Sequence, residues 1–272
     1  MTLVGLKLLL APSFIVVTSV LGRHVGVRVA GVVGGLPVIA GPILLVLAIE
    51  HGKSFAADAA NGTLLGVVAL IVFVLVYVAV SRRFAWPWSL LAGWTSFLLA
   101  ILALRPLHVG PVAALCLACA ACGATLVLLP HPSPRLLAVG PYPRWDLPLR
   151  AACAVIPIVA VTSAARALGP HLAGLLASFP IITPVLAAFT QAQQGKDEVV
   201  RLLHGMTVGF FAYALFCFVV SVTLRELGIA ASFALATVLA LALQGGAIAF
   251  SRRRERPVSA VGASGQLTPA AE

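Results

Sequence analysis

"GGLPVIAGP", residues 34–42, sits inside an apolar run as long as a membrane-crossing helix, yet three of its nine residues are glycine and two are proline. Proline removes a backbone donor and clashes with the carbonyl four residues earlier, so a continuous helix is not expected through it. "ASFPIITP", residues 177–184, repeats the interruption inside a second apolar run. In lipid a freed carbonyl cannot turn to water and must find protein, a solute or a cavity. The two breaks therefore predict irregular backbone at membrane depth.

The composition supplies the membrane. Of 272 residues, 61% are hydrophobic and 10% charged, and the mean hydropathy is +1.09. A soluble domain is about half apolar and about a quarter charged, so this excess does not fit inside one core of ordinary size. A spanning helix needs about 20 mainly apolar residues. Nine such windows are read, at 2–21, 29–50, 61–80, 86–104, 109–130, 148–165, 171–190, 202–224 and 228–250. The expected fold is all-α, a polytopic membrane protein. No basic region precedes the first apolar run and no small-residue cleavage site follows it, so it is read as a span.

The net charge of +10 raises the question of nucleic acid. The basic residues are spread among loops without interleaved aromatics, so no nucleic-acid partner is expected. Topology accounts for them better. Loops on one side hold Arg23, Arg28, Arg82, Arg83, Arg135, Arg144, Arg150, Lys196, Arg201, Arg252, Arg253, Arg254 and Arg256; the other side holds Lys53, Arg105, Arg166 and Arg225. By the positive-inside rule the C-terminus is cytoplasmic and the N-terminus outside. The expected location is a bacterial cytoplasmic (inner) membrane.

Laid against itself at a shift of 143, the chain aligns Gly26 with Gly169, Gly31 with Gly174, Pro37 with Pro180, Gly52-Lys53 with Gly195-Lys196, Gly62 with Gly205 and Gly66 with Gly209. Pro42 meets Pro184 at a shift of 142, the gap falling within the break itself. Such self-similarity reads as duplication. Residues 1–104 form a first repeat of four spans and 148–250 a second. Residues 105–147 connect them with the fifth span and a cytoplasmic loop, and 251–272 form a basic cytoplasmic tail, small and polar enough that disorder is expected. The displacement is five spans, an odd number, so the repeats are inverted. Inverted repeats with Gly/Pro-interrupted segments at corresponding positions are the pattern of secondary transporters, whose solute site lies between the breaks.

The candidate site is accordingly Pro37, Gly41 and Pro42 with Pro180, Thr183 and Pro184. The new half-helix N-termini carry partial positive charge and favour an anion or polar oxygen, and Thr183 adds a hydroxyl. The alternative is a pair of kinks that only let helices pack. Glu50, ending an apolar run, is the candidate for coupling. It falls in "EHGKSFAAD", read as an outside loop, whose inside counterpart is "TQAQQGKDEVVRLLHG". Gly62-x3-Gly66 and Gly205-x3-Gly209 are small-residue pairs that permit close helix packing. Cys116, Cys119 and Cys122 share a helical face, but alanine surrounds them and no His or Met joins them. No metal site and no cofactor are expected. No His-Glu-x-x-His helix or serine elbow occurs, so an enzyme is not expected.

The stretch "AGLLASFPIITPVLAAFTQAQQGKDEVVRLLHGMTVGFF", residues 173–211, resembles the core of the GlpM-like family of small bacterial inner-membrane proteins. The matching residues are Gly174, Phe179, Pro180, Gly195, Gly205 and Met206, over about forty residues of one half. The chain looks like a fused, inverted pair of such units, with Leu36-Pro37 where the second copy has Phe-Pro. The resemblance implies a bacterial membrane protein with links to envelope polysaccharide production, and no catalytic residues. The expected function is a permease moving a small solute, anions favoured. The alternative is a membrane scaffold, an accessory subunit of envelope assembly or a lipid translocator. Membrane lipid and a small solute or ion are the expected partners, with a homo-oligomer left open.

Overall fold

The computed structural model describes residues 3–130, 145–153 and 179–255, and among these every regular element is a helix. In chain order they are α1 (Leu3–Val25), α2 (Val27–Gly34), α3 (Ala40–Glu50), α4 (Lys53–Ser81), α5 (Trp86–Leu104) and α6 (Pro111–Leu128). After the short helical stretch 146–153 come α7 (Ile182–Gln194), α8 (Lys196–Leu227) and α9 (Ile229–Glu255). Five helices of the described residues are long and apolar enough to cross a membrane: α4, α5, α6, α8 and α9. Residues 154–165 of the span expected at 148–165, residues 171–178 of the span expected at 171–190, and the tail from 256 onward lie outside the described residues.

The span expected at 29–50 is two helices, α2 and α3, separated at Gly35–Ile39. The break has defined geometry. Gly35 N–H reaches the Gly31 and Val32 carbonyls, Leu36 N–H tightens onto Val33, and Val38 N–H closes onto Leu36 at 2.8 Å. Pro37 has no N–H to continue the ladder. Pro42 does not break anything further: it is the third residue of α3, where a missing amide hydrogen is tolerated. α7 starts in the same way, with Pro184 as its third residue and Phe179–Ile181 before it. The caps agree in conformation, Ile39 at φ −92°, ψ −45° and Ile181 at φ −100°, ψ −49°.

α4 and α8 form the centre, with 67% of their apolar windows buried, against 22% for α5, α6 and α9. They pack on each other and run antiparallel, since Arg225 near the end of α8 meets Asp58 near the start of α4 at 2.6 Å. At the opposite end Lys196, opening α8, donates to the Arg82 carbonyl at 2.8 Å. α5 lies along α4, α9 along α8, and α6 touches both central helices. The outer helices turn Leu98, Leu99, Leu102, Val112, Val238 and Leu241 outward. An apolar surface of that extent suits lipid and not water.

Both central helices are longer than the spans read at 61–80 and 202–224. α4 begins at Lys53 and α8 at Lys196, so "EHGKSFAAD" and "TQAQQGKDEVVRLLHG" are mostly helix. The turns reduce to His51-Gly52 and to Gly195. A hydropathy window ends where charge begins, whereas helix propensity continues through Lys, Glu, Ala and Gln.

Candidate functional site

The two breaks, about 140 residues apart in sequence, face one another across a cavity of about 50 Å³. One wall is Gly34, Leu36, Pro37 and Ile39; the other is Phe179, Pro180 and Thr183. Leu70 of α4 and Tyr213 of α8 complete it. No Asp, Glu, Lys, Arg or His lies among the described lining residues. Its polarity comes from broken backbone and from hydroxyls. α3 and α7 both begin at this cavity; at the start of α3 the Gly41 N–H donates to the Pro37 carbonyl at 2.8 Å, the Ile43 N–H to the Ile39 carbonyl at 3.3 Å, and Pro42 has no N–H. Thr183 is 4% exposed, and among the described residues its hydroxyl forms no hydrogen bond.

Of the six residues expected to form the site, Pro37, Pro180 and Thr183 line the cavity. Gly41 instead faces the Phe216 ring, 3.3 Å from where its Cβ would stand. Pro184 faces an outward groove, and Pro42 is half-buried in the first turn of α3. Glu50 is exposed at the far end of α3, ten residues and about 15 Å along the axis from Ala40. The Val32 carbonyl, already an acceptor for the Gly35 N–H at 3.2 Å, also accepts a hydrogen bond from Gln244 Nε2 of α9. Gln244 is 3% exposed. Its sequence signal was a lone amide in the last apolar run.

The small-residue pairs set how closely the walls approach. A Cβ on Gly205 would strike the Arg28 carbonyl, and one on Gly209 the Val32 carbonyl. A Cβ on Gly35 would lie 2.7 Å from the Gly209 Cα and the Met206 carbonyl oxygen. Gly31-x3-Gly35 of α2 and Gly205-x3-Gly209 of α8 thus interlock backbone to backbone. Gly62 and Gly66 are buried on α4. Behind the second break Phe179 meets Phe97 edge-on at 5.4 Å and Trp94 stacked at 6.5 Å.

Sequence reasoning did not find the buried polar cluster at one end of the bundle. Asp146, fully buried, accepts from Arg23 at 2.5 Å, from Arg150 Nε at 2.9 Å and from Gln193 at 2.5 Å. Arg150 also lies over the Phe189 ring, 4.8 Å from its centroid. Burial pushes the Asp146 carboxyl up, but the bonds from Arg150, Gln193 and Arg23 outweigh it and hold the group below the usual carboxylate range. Its sequence signal was Asp146-x3-Arg150, one helical turn. Beside this cluster, an apolar groove of about 530 Å³ opens between α5 and α7, with Trp86, Trp94 and Trp145 on its walls.

In α6 the three cysteines do not converge: Cys116 is exposed, Cys119 half-buried and Cys122 buried. A three-residue step rotates about 60° around the helix, so the row drifts off one face. Compared with known protein families, with characterised proteins and with solved structures, the chain matches none of them.

Proposed function

We propose that the chain is a secondary transporter of a bacterial inner membrane. It would have nine spans in two inverted repeats and move a small solute by alternating exposure of the cavity between its two broken helices. The observation that carries the reading is the meeting of the breaks: Pro37 and Pro180 line one cavity. Irregular backbone at membrane depth is tolerated where it is buried or lines a cavity. Two half-helix N-termini and the Thr183 hydroxyl favour an anion or polar oxygen.

The repeat is supported by matching geometry. Gly52 and Gly195, which open α4 and α8, have φ of 88° and 92°. α3 packs on α4 as α7 packs on α8, and α5 meets α7 as α9 meets α3. Leu70 and Tyr213, both in the cavity wall, are 143 residues apart. Antiparallel central helices agree with inversion. The orientation, with the N-terminus outside, rests on the distribution of Arg and Lys.

Uptake or efflux by proteoliposomes tests the reading. Pro37→Ala and Pro180→Ala each let a helix close through a break, and each is expected to lower transport at least about tenfold while the protein still folds. Unchanged transport in both would remove the breaks from the mechanism.

The apolar groove beside α7 favours a second reading, a lipid translocator or accessory subunit of envelope assembly, in keeping with the resemblance to GlpM-like proteins. Trp86 and Trp145 stand exposed at it, as aromatic residues do at a membrane interface. In that case a labelled phospholipid, and no small solute, would move across the proteoliposome membrane.

A further inference from the structure

The apolar groove beside α7 takes its walls from three segments, each contributing residues about one helical turn apart. α5 supplies Trp86, Leu90 and Trp94, and the stretch that opens at Trp145 supplies Leu149 and Cys153 after it. Steps of four keep each set on one face of its helix. The third wall is α7, through Val185, Ala188 and Ala192. The volume of about 530 Å³ is that of a site for a sizeable organic molecule, about 300–1,000 Å³. No charged side chain lines it among the described residues, so its walls suit hydrocarbon and not a small polar solute.

Its length and its two ends narrow the choice further. From Trp86 to Trp94 the groove follows α5 for about 12 Å, and from Gln193 to Pro184 it follows α7 for about 14 Å. That is close to half the hydrocarbon thickness of a bilayer, about 30 Å in all, and so to the depth of one leaflet. The deep end lies at Pro184 and Trp94, beside the second break, where Trp94 stacks on Phe179. At the other end Trp86 and Trp145 are exposed, as aromatic residues are at a membrane interface. There the link from α4 to α5 is tied to α7, Gln191 donating to the Phe84 carbonyl at 3.0 Å. That link and the opening of α8 carry three exposed cations, Arg82, Arg83 and Lys196, against one exposed acid, Asp197. Glu198, the next acid, pairs with Arg201. Basic clusters beside a span attract anionic headgroups.

We propose that the groove binds one acyl chain of an anionic phospholipid from the surrounding membrane, with the headgroup at Arg82 and Arg83 and the chain running down to Trp94. Positive charge at one end and hydrocarbon over the depth of one leaflet match that molecule better than a zwitterionic lipid or a free anion. With the orientation proposed above, the leaflet is the cytoplasmic one. The lipid is a resident ligand, held against the wall of the second break and not carried across. Its binding rests on the chain lying in a membrane, and on neither reading of what the protein moves.

The test is tryptophan fluorescence of the full-length protein in phosphatidylcholine vesicles. These are doped at low mole fraction with phosphatidylglycerol or phosphatidylcholine brominated at mid-chain, since bromine quenches a tryptophan that it touches. A variant keeping Trp94 alone, the other tryptophans changed to phenylalanine, is read against one keeping Trp88, which is exposed and outside the groove. Trp94 is expected to prefer brominated phosphatidylglycerol at least about tenfold, the order that two basic residues near a membrane surface provide, and Trp88 to show no preference. Arg82→Gln/Arg83→Gln should abolish the preference at Trp94. So should Ala192→Phe, which fills the groove from an exposed position; both variants should keep a Tm near that of the wild type. Equal quenching of Trp94 by the two lipids would overturn the proposal, and so would the same preference at Trp88 or one that survives Ala192→Phe. A Trp94 that neither lipid reaches would mean that protein fills the groove, and would overturn it too. Unchanged transport in Pro37→Ala and Pro180→Ala leaves this measurement unaffected, so the two readings fail separately.

Discussion

A single carboxylate, Asp146, joins three segments: α1 through Arg23, its own helical stretch through Arg150, and α7 through Gln193. Removing one partner of a buried pair strands the other charge, at a cost of about 3–5 kcal/mol. Asp146→Asn is therefore expected to lower the Tm substantially, whereas Arg225→Ala, which breaks a pair with side chains 54% and 63% exposed, should shift it little. The pH dependence has a definite sign. A depressed carboxyl stabilises fully above its unfolded pKa of about 3.9 and loses that contribution as pH falls through the lower folded value. The gap in Tm between wild type and Asp146→Asn should be constant from pH 5 to 7 and shrink below about pH 4. A gap that widened on acidification would contradict the ion-pair assignment. The Asp146–Arg150 spacing was legible in "WDLPLR". Arg23 lies 123 residues away, and no local pattern could announce it.

At the scale of elements, α2 and α8 touch through glycines, and the helix starts depend on glycine for a different reason. Gly205→Ala would drive a methyl group into the Arg28 carbonyl; overpacking of this kind costs about 1–3 kcal/mol or more, read as a loss of Tm. Gly52 and Gly195 have open space around them, but their φ of 88° and 92° with extended ψ belongs to a region that is nearly glycine-only. Gly52→Ala and Gly195→Ala should each cost about 1–3 kcal/mol by backbone strain alone, and by similar amounts. Circular dichroism melts of the two variants check this. The glycine pairs were legible as a motif; their partners were not, because a GxxxG pair specifies closeness without naming what approaches. The turns around Gly52 and Gly195 were read too long, since a charged helical turn beyond the hydrocarbon looks polar to a hydropathy window.

For the whole molecule, the antiparallel α4 and α8 carry Lys53 and Lys196 at opposite ends. Lys53→Cys and Lys196→Cys, in a background lacking the native cysteines, should therefore react with a membrane-impermeant maleimide from opposite sides. Intact cells are expected to label residue 53, and inverted vesicles residue 196. Labelling of both from one side would reject the inverted arrangement. The outer helices α5, α6 and α9 bury little of their surface, so the molecule needs lipid, or further copies of itself, around it.

Composition and proline placement alone determined that the described residues are helical, that the chain is apolar beyond what one core can hold, and that the backbone is irregular at Pro37 and at Pro180. Those are local properties: a missing amide hydrogen or a run of valine and leucine acts wherever the chain goes. Tertiary structure alone decided that the interruptions meet, that Thr183 faces the space between them while Gly41 and Pro184 turn away, and that Gln244 takes up the Val32 carbonyl. Each of these depends on which helix face is turned inward. In a chain apolar on nearly every face, hydrophobic patterning cannot specify that rotation; close glycine packing and a few buried hydrogen bonds do.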